Sequence, residues 1–224
     1  MEILVINGNT KKSGFIAEAL EIVSSYLRAN SLAVQYFRLG DAHIEECIGC
    51  FHCLRTGECV LKDDMAEIIQ AMRRAEGFVI GSPVRNGLVT ACYKRFYERI
   101  TYPLGFPLLL ADKMTLAISS VGYLGGKKVN RDLLGLQSVF HARLSGFVFC
   151  RTGIPTKIRP DALRPLLERS AGKLVADIGA PPPRGVWGQI SFALERLIMR
   201  KMMFEKHPDL YAHVIKCWQE KGYM

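Results

Sequence analysis

Four of the seven cysteines in this chain lie together, at Cys47, Cys50, Cys53 and Cys59. Their spacing is C-x2-C-x2-C-x5-C. Thiolates this close in sequence can bind an iron–sulfur cluster, bind zinc or form disulfides. Two-residue gaps between three successive cysteines are typical of a [4Fe–4S] cluster, in which each iron takes one thiolate. The spacing therefore favours a [4Fe–4S] cluster held by these four residues.

Two alternatives to the cluster stay open. Structural zinc sites usually pair two C-x2-C units across a longer gap, so zinc suits this spacing less well. The thiols could also be free of metal and either structural or redox-active. Disulfides are disfavoured because they need an oxidising compartment, whereas the chain starts directly on an apolar strand-like run with no signal sequence, so we expect a cytoplasmic protein.

The other cysteines and the one histidine of this segment are less informative. Cys92, Cys150 and Cys217 fall in apolar contexts, which predicts inert core thiols. His52 lies between two of the clustered cysteines, but four sulfurs already complete a ligand set. We therefore do not expect His52 to bind a metal. At most it lies among the residues that surround the ligands.

Composition predicts a folded protein with anionic partners. Hydrophobic residues make up 49% of the 224 residues and charged residues 23%, which is enough for a core and argues against disorder. No apolar run is long enough to span a membrane. The formal net charge of +9 suits nucleic acid, a membrane surface, or anions such as flavin phosphate, a phosphorylated nicotinamide or an acidic ferredoxin. Because the cations are scattered and no aromatic platform accompanies them, we expect no nucleic-acid partner.

Five apolar runs alternate with amphipathic segments along the first 180 residues. The predicted strands are 3–6, 33–37, 77–81, 114–119 and 147–150, and the predicted helices follow them near 16–27, 64–72, 93–100, 130–142 and 161–178. The last helix is expected to pack on the sheet through Leu163, Leu166, Leu167, Leu174 and Val175. Asp64 and Glu67 have the spacing of a helix-capping box. Strands that alternate with helices require right-handed crossovers, so the sequence predicts an α/β fold with a doubly wound, mostly parallel sheet.

Three polar, glycine-containing loops follow predicted strands, at residues 8–14, 82–87 and 120–126. Ligands of such sheets bind beyond the carboxyl ends of the strands, where these loops converge. The first loop leads into a helix, whose N-terminus favours phosphate. It is neither a G-x-G-x-x-G nor a Walker sequence, which disfavours a Rossmann dinucleotide site and a nucleotide hydrolase. The loops predict a phosphate site flanked by two segments that could hold a flat ring.

These motifs resemble the iron–sulfur flavoprotein branch of the NAD(P)H-dependent FMN reductases, a flavodoxin-like family. The matching marks are residues 8–14 against a G-S-P-R-x-x-[GS]-N-T phosphate loop, the cysteine run continuing into 62–65, and 81–84 followed by Gly87 and Lys94. The resemblance implies a five-stranded sheet of order 2-1-3-4-5, bound FMN, and a [4Fe–4S] cluster on the four cysteines. It also implies NAD(P)H as a possible co-substrate and a homodimer or homotetramer in which cluster and flavin meet near a subunit interface.

The cofactor residues predicted from the loops and the resemblance are Asn9, Thr10, Lys11, Ser13, Gly14, Phe15, Ile16, Pro83, Val84, Arg85, Asn86, Gly87, Ser120, Gly122, Tyr123, Gly125 and Gly126. Three positions depart from the family pattern. Asn9-Thr10-Lys11 replaces Ser-Pro-Arg, Phe15-Ile16 replaces Asn-Thr, and Arg85-Asn86 replaces an aromatic pair. We hypothesise that Arg85 lies near the ring and stabilises the negative charge of the reduced flavin.

The chain divides into an FMN-binding domain, residues 1–179, and a C-terminal arm, residues 180–224. Three prolines at 181–183 form a stiff spacer. Beyond it, an apolar stripe recurs at helical spacing, at Trp187, Ile190, Leu194, Leu197 and Ile198. This helix could lie on a membrane surface, cover the substrate site, or extend onto a second subunit, and we favour the last; the final segment is expected to pack with it.

The favoured function is an FMN-dependent oxidoreductase. It would pass electrons between NAD(P)H or a ferredoxin, FMN and the cluster to a small acceptor. Hydride transfer to a flavin needs no side-chain acid or base, so no catalytic side chain is predicted. The alternatives are a cluster-free NAD(P)H-dependent reductase of FMN or quinones, and a non-catalytic binding module ordered by zinc.

Overall fold

Five parallel strands form one sheet in the computed structural model, which describes residues 1–224. The strands are β1 (Glu2–Asn7), β2 (Ala33–Arg38), β3 (Gly77–Pro83), β4 (Met114–Val121) and β5 (Arg143–Arg151). Their order is β2-β1-β3-β4-β5, and every neighbouring pair is parallel. This order reverses direction between β1 and β3, which creates the crevice where flavodoxin-like sheets bind ligands. The predicted fold class and strand order are confirmed.

Eight α-helices flank or extend the sheet. They are α1 (Phe15–Ala29), α2 (His52–Thr56), α3 (Met65–Arg74), α4 (Ala91–Ile100), α5 (Lys127–Leu134), α6 (Arg164–Gly179), α7 (Val186–Met199) and α8 (Ala212–Glu220). A π-turn follows α4 at Thr101–Gly105 and another follows α7 at Arg200–Phe204, and a 3-10 turn precedes α6 at Pro160–Leu163.

Two apolar cores cover the two faces of the sheet. In β1, Leu4 and Ile6 point to the core under α3 and α4, while Ile3 and Val5 point to the core under α1 and α6. All four of these side chains are fully buried. A strand covered on both faces needs apolar residues at every position, which explains the continuous run in the sequence.

Three expectations about helices are corrected. The helix predicted over 130–142 ends at Leu134, and Leu136 and His141 adopt positive φ angles of 49° and 52°, which a helix does not allow. The Asp64–Glu67 capping box is absent, because the Asp64 side chain makes no hydrogen bond to α3. Leu166, predicted to pack on the sheet, is 46% exposed.

The C-terminal helices form a third, smaller core beside the cysteine segment. Its buried members are Leu54, Leu108, Phe204, Tyr211, Val214 and Trp218. The Trp218 Nε1 donates to the Phe106 backbone oxygen at 2.8 Å, which fixes α8 against the loop after α4. The final segment therefore packs mainly on the first 179 residues and meets α7 only through partly buried side chains such as Phe192 and Met199.

The apolar stripe predicted in the arm forms the outer face of α7. Trp187 is 82% exposed, and no residue of this helix is buried. Its Ile190, Leu194, Leu197 and Ile198 are exposed as well. No helix in the protein combines the length and the apolar character needed to cross a bilayer.

Candidate functional site

The loop after β1 is shaped by its own side chains. Asn7 Oδ1 accepts the Asn9 backbone N–H at 3.1 Å, and Asn9 Oδ1 accepts the Lys11 backbone N–H at 3.3 Å. Asn9 is one of the predicted cofactor-binding residues. It is 5% exposed, and its side-chain oxygen is already occupied by the hydrogen bond within this turn. The loop ends at Gly14, whose φ of 116° and ψ of 176° belong to a region that is essentially restricted to glycine.

The N-terminus of α1 is left open by this turn. Gly14 supplies no side-chain cap, and the first hydrogen bond of the helix runs from the Glu18 N–H to the Gly14 oxygen. The N–H groups of Phe15, Ile16 and Ala17 therefore have no partner within the helix. Such a set of donors, with the positive end of the helix dipole, is suited to a phosphate group. The side chains of Lys11 and Ser13 are exposed beside it.

Backbone hydrogen bonds hold the loops at this edge together. Gly8 N–H donates to the Gly81 oxygen at 2.7 Å, Val84 N–H to the Ser120 oxygen at 2.7 Å, and Thr152 N–H to the Val121 oxygen at 2.8 Å. Thr90 caps α4 by accepting the Tyr93 N–H, and its hydroxyl donates to the Gly8 oxygen at 2.5 Å. The sheet thus continues into the loops, which are fixed by the fold itself.

A cavity of about 280 Å³ opens between these loops, close to the size range of ligand pockets. The predicted residues that line it are Asn9, Lys11, Ser13, Gly14, Phe15, Ile16, Pro83, Val84, Arg85, Ser120 and Gly122. Val121 also contributes, as do Thr152, Gly153, Ile154 and Thr156 of the loop after β5. This last loop was missed, although it follows the fifth strand and the rule that identified the others applies to it.

The other six predicted residues do not line this cavity; they are Thr10, Asn86, Gly87, Tyr123, Gly125 and Gly126. A Cβ at Gly126 would lie 2.6 Å from Val84 Cγ1 and 3.1 Å from the Gly87 oxygen. Two of the predicted ring-holding loops therefore touch each other at their tips. Tyr123 turns outward and donates its hydroxyl to the Ile154 oxygen at 3.0 Å.

The cavity fits a flavin mononucleotide in chemistry. One end offers free helix N–H groups with Lys11, which suits a phosphate. The opposite walls combine apolar Pro83, Val84 and Ile154 with the polar backbone of the 120–122 segment, which suits a ring system with an apolar face and polar edges. Arg85 is exposed at the rim of the cavity.

The four clustered cysteines line one small pocket. Ile48, Phe51, Val60, Leu61 and Tyr102 complete its apolar wall. Phe51 and Gly57 take positive φ angles of 56° and 82°, which bend the chain around the thiols. Every lining residue is apolar or a cysteine, but Cys50 and Ile48 are exposed, so the pocket opens to solvent on their side.

The cysteine pocket offers the sulfur ligands that a [4Fe–4S] cluster or a zinc ion needs. All seven cysteines are unpaired thiols, and no three His, Cys, Asp or Glu side chains converge as they would on one metal ion. A tetrahedral zinc needs its sulfurs to meet around one point. Thiolates of a cubane cluster each bind a different iron, so they need not meet around one point.

Buried side chains beneath the cysteine segment anchor it. Asp63 Oδ2 accepts the Glu45 N–H at 2.8 Å, and Asp63 Oδ1 accepts the Met65 N–H at 3.1 Å. Arg99 pairs with the same carboxylate at 2.5 Å, and the two side chains are 1% and 0% exposed. Asp64 acts in a similar way, because its Oδ2 accepts the His43 N–H at 2.7 Å. Asp63 and Asp64 therefore hold the segment that leads into the cysteines, and Asp64 does not cap α3 as the sequence predicted.

The pKa values in this region follow from burial and charge. Burial, reinforced by the neighbouring thiols of Cys59, Cys47 and Cys50, raises the pKa of Cys53 to about 11. Burial alone would raise the pKa of Asp63, but the hydrogen bonds from Arg99 and from two backbone N–H groups outweigh it and lower that pKa. The Asp63 carboxylate therefore stays ionised beside Arg99 across the physiological range.

Helix α8 packs against the cysteine segment at Leu54 and Gly57. The His213 imidazole lies directly on Gly57, where an added Cβ would be 2.5 Å from His213 Cε1. Arg73 Nη2 donates to the Gly57 oxygen at 3.3 Å. Burial, followed by the charge of Arg73, lowers the pKa of His213. The Cys217 thiol is buried on α8, 3.4 Å from His213 Nε2, as expected for an inert core cysteine.

Helix α4 links the two sites. Its cap Thr90 touches the Gly8 oxygen at the cavity, and its ninth residue, Arg99, lies beneath the cysteine pocket. At about 1.5 Å of rise per residue, these positions are roughly 14 Å apart along the helix axis. One helix therefore connects the cavity and the thiols within this chain.

Comparisons with known proteins agree with this geometry. A sequence model described as NADPH-dependent FMN reductase matches residues 1–146. An iron-sulfur flavoprotein of Clostridioides difficile (strain 630) is 24% identical over 226 residues, 99% of both chains. One of Methanocaldococcus jannaschii is 30% identical over 123 residues, which cover 53% of this chain and 61% of that protein. A solved structure described as a flavone reductase superposes with a TM-score of 0.62 at 15% identity, over 80% of this chain and 64% of the other.

Proposed function

Since this chain belongs to the NADPH-dependent FMN reductase family, we propose that its oxidoreductase activity couples FMN to a [4Fe–4S] cluster and delivers electrons to a small acceptor. The observation that carries the proposal is that one helix, α4, connects a cavity suited to phosphate with a pocket lined by four thiols. When bound, FMN handles an electron pair and a cluster handles single electrons, so together they convert hydride transfer into one-electron steps.

The residues of the cavity bind and orient the flavin in this proposal. The free N–H groups at the start of α1, with Lys11 and Ser13, hold the phosphate. Pro83 and Val84 on one side and the 120–122 segment on the other hold the ring.

Arg85 at the rim stabilises the negative charge of the reduced ring, so Arg85→Ala lowers the flavin midpoint potential. Arg169→Ala, an exposed arginine on α6 that lines neither the cavity nor the cysteine pocket, is the matched control. An unchanged potential in Arg85→Ala contradicts this role.

Cys47, Cys50, Cys53 and Cys59 hold the cluster in this proposal. Their shared apolar pocket supports it, as do relatives that are named iron-sulfur flavoproteins. Burial raises the pKa of Cys53 to about 11, so ionisation of this thiol needs compensation. Bound iron supplies that compensation, since a metal deprotonates a coordinating thiol.

Anaerobic purification followed by analysis of iron, sulfide, zinc and flavin tests the proposal. We expect flavin with iron and sulfide in equal amounts, and loss of both inorganic components in Cys50→Ser while flavin is retained. The matched control is Cys92→Ser, a thiol outside the pocket. Flavin without iron would favour the cluster-free reductase, and zinc without flavin would favour the binding module. Protein with neither flavin nor iron overturns the proposal.

The electron donor is proposed to be anionic, either NAD(P)H or a ferredoxin. Between residues 113 and 160 there are eight lysines and arginines but a single acid, Asp132, and this stretch forms the β4 and β5 side of the cavity. Such an excess of positive charge accelerates encounter with anions and is screened by salt. Steady-state assays with NADH, NADPH and reduced ferredoxin at two ionic strengths identify the donor. A rate that does not fall with salt contradicts an anionic partner.

Residues 180–224 are proposed to act as an arm that contacts a second copy of the chain in a homodimer or homotetramer. The support is the exposed apolar stripe of α7, which begins at Trp187 and has Leu194 at its centre. We expect Trp187→Ser/Leu194→Ser to reduce the oligomer size measured by sedimentation velocity. Leu166→Ser, which alters an exposed leucine on α6, is the control. An unchanged oligomer in the α7 variant rules out this contact.

A further inference from the structure

Arg99 contacts a cysteine of the pocket through a fully buried side chain. Its Nη2 lies 3.4 Å from Cys59 Sγ. The same guanidinium donates to both Asp63 oxygens, at 2.5 and 3.0 Å, and to the Glu45 backbone oxygen at 2.8 Å. Among the four pocket cysteines, Cys59 alone accepts a hydrogen bond from a side chain. The pocket is therefore electrostatically asymmetric.

Neutralising Arg99 does not require this sulfur contact. Asp63 already provides an opposite charge in a two-pronged geometry, which is the strongest arrangement available to an arginine. A protonated thiol is a weak acceptor, so a buried cationic donor gains little from it. A thiolate gains much more, because the hydrogen bond is then charge-assisted at both ends. The contact suits a Cys59 that is permanently a thiolate, as a metal ligand is.

We propose that Arg99 is a positioning residue that sets the reduction potential of the cluster through Cys59, an inference that rests on the proposed cluster. Hydrogen bonds to the sulfurs and the local charge are levers that tune cluster potentials. The reduced cluster carries one more negative charge than the oxidised cluster. A buried guanidinium donor at one sulfur stabilises the reduced form more, so Arg99 raises the potential, and Asp63 limits that rise by its opposite charge.

The opposing signs of Arg99 and Asp63 give a test that a purely structural role does not reproduce. The midpoint potential of the cluster is measured by EPR-monitored titration of the flavin-containing, full-length protein. Asp63→Asn keeps hydrogen-bonding oxygen and removes the negative charge, so the potential shifts upward. Adding Arg99→Gln to it removes the cation, so the double variant falls below Asp63→Asn. Arg99→Lys keeps the charge but loses the fork, and its potential falls between the double variant and wild type.

The chain offers a matched control one helical turn earlier. Arg95, also on α4, donates to the Ile44 oxygen at 3.2 Å and so anchors the same approach to the cysteines, but it does not contact a sulfur. Arg95→Gln is expected to leave the cluster potential unchanged. The flavin potential, read in the same titration, is expected to stay constant in every variant.

Each outcome decides the inference. A wild-type protein without iron overturns the proposed function and this inference together. A cluster whose potential is the same in Asp63→Asn and in the double variant overturns only the inference. If every Arg99 variant loses iron but keeps its flavin, Arg99 only holds the cysteine segment in place. That result also overturns the inference.

Discussion

The cavity at the strand ends and the cysteine pocket are built in different ways. Loops that continue the sheet form the cavity, and backbone hydrogen bonds such as that from Val84 to Ser120 fix them. The cysteine pocket lies outside the sheet and is held by side chains: Asp63 just after the cysteines, and Arg99 and the residues of α8 from distant parts of the chain. The first site inherits its geometry from the fold, whereas the second depends on a few individual contacts.

This difference predicts how each site responds to substitution. A loop fixed by sheet hydrogen bonds tolerates changes of side chain and is disturbed mainly where its backbone conformation is special. A loop fixed by a buried ion pair is disturbed when either partner is removed, because the other charge is left buried and unpaired. The cysteine pocket is therefore the more fragile of the two, and substitutions can test that ranking.

The largest effect is expected for Asp63→Ala. It leaves Arg99 buried without a counter-charge and removes the acceptor of the Glu45 and Met65 N–H groups. Removing one partner of a buried pair costs about 3–5 kcal/mol. Urea unfolding should show this loss, together with loss of iron from the purified protein. Asp64→Ala, which removes one exposed hydrogen bond to His43, should cost about 1 kcal/mol. Equal costs would show that the buried pair does not hold the pocket.

Gly14→Ala tests the cavity, with a smaller expected effect. An alanine at φ 116° and ψ 176° is strained although its Cβ would meet no atom within 4 Å. Strain of this kind costs about 1–3 kcal/mol, and a loop that relaxes it turns the α1 N–H groups away from the phosphate. The FMN dissociation constant should rise roughly 5- to 150-fold, as measured by fluorescence titration. The control is Gly185→Ala, where φ is −59° and space is equally open. If Gly14→Ala and Gly185→Ala have the same FMN dissociation constant, the conformation of the turn before α1 does not contribute to phosphate binding.

Gly57→Ala compared with Gly49→Ala sharpens the role of α8. Both glycines have positive φ, 82° and 66°, so both variants carry the left-handed penalty of about 1–2 kcal/mol. Only Gly57 would place its new Cβ against a neighbour, 2.5 Å from His213 Cε1. Urea unfolding should therefore show a greater loss of stability in Gly57→Ala. Adding His213→Ala should recover the difference, since residues in contact have coupling energies of about 0.5–3 kcal/mol. Additive effects in the double variant would mean that α8 does not press on the cysteine segment.

The sequence predicted the cavity better than the pocket, for physical reasons. Periodicity identifies strands such as Ile3–Ile6, and parallel strands always bring their carboxyl ends to one edge, so loops 8–14, 82–87 and 120–126 were expected to meet. The cysteines were recognisable by spacing. Arg99 was not, because nothing in a helix sequence shows that one cation is buried against an aspartate 36 positions away.

Local signals also misled at two places. Asp64 and Glu67 have capping spacing, but the tertiary contacts to His43 and Glu45 claimed the aspartates instead. The apolar residues at 130–142 suggested one helix, whereas Gly135 and the positive φ of Leu136 end it so that the chain can turn into β5. Long-range hydrogen bonds and close backbone approach are set by the whole fold, and single-sequence patterns do not contain them.

The smallest expected effect is a pH dependence of the contact between α8 and the cysteine segment. Burial and the charges of Arg73 and Lys216 lower the pKa of His213, with Glu220 opposing them. A histidine whose folded pKa is lowered binds fewer protons in the folded state, so stability is complete above the unfolded pKa of about 6.5 and is lost as pH falls through the folded value. Thermal unfolding should therefore show a drop in Tm on acidification that is smaller in His213→Gln, which cannot titrate. Identical pH profiles for the two proteins would show that His213 binds protons equally in the folded and unfolded states, leaving packing alone to couple the arm to the thiols.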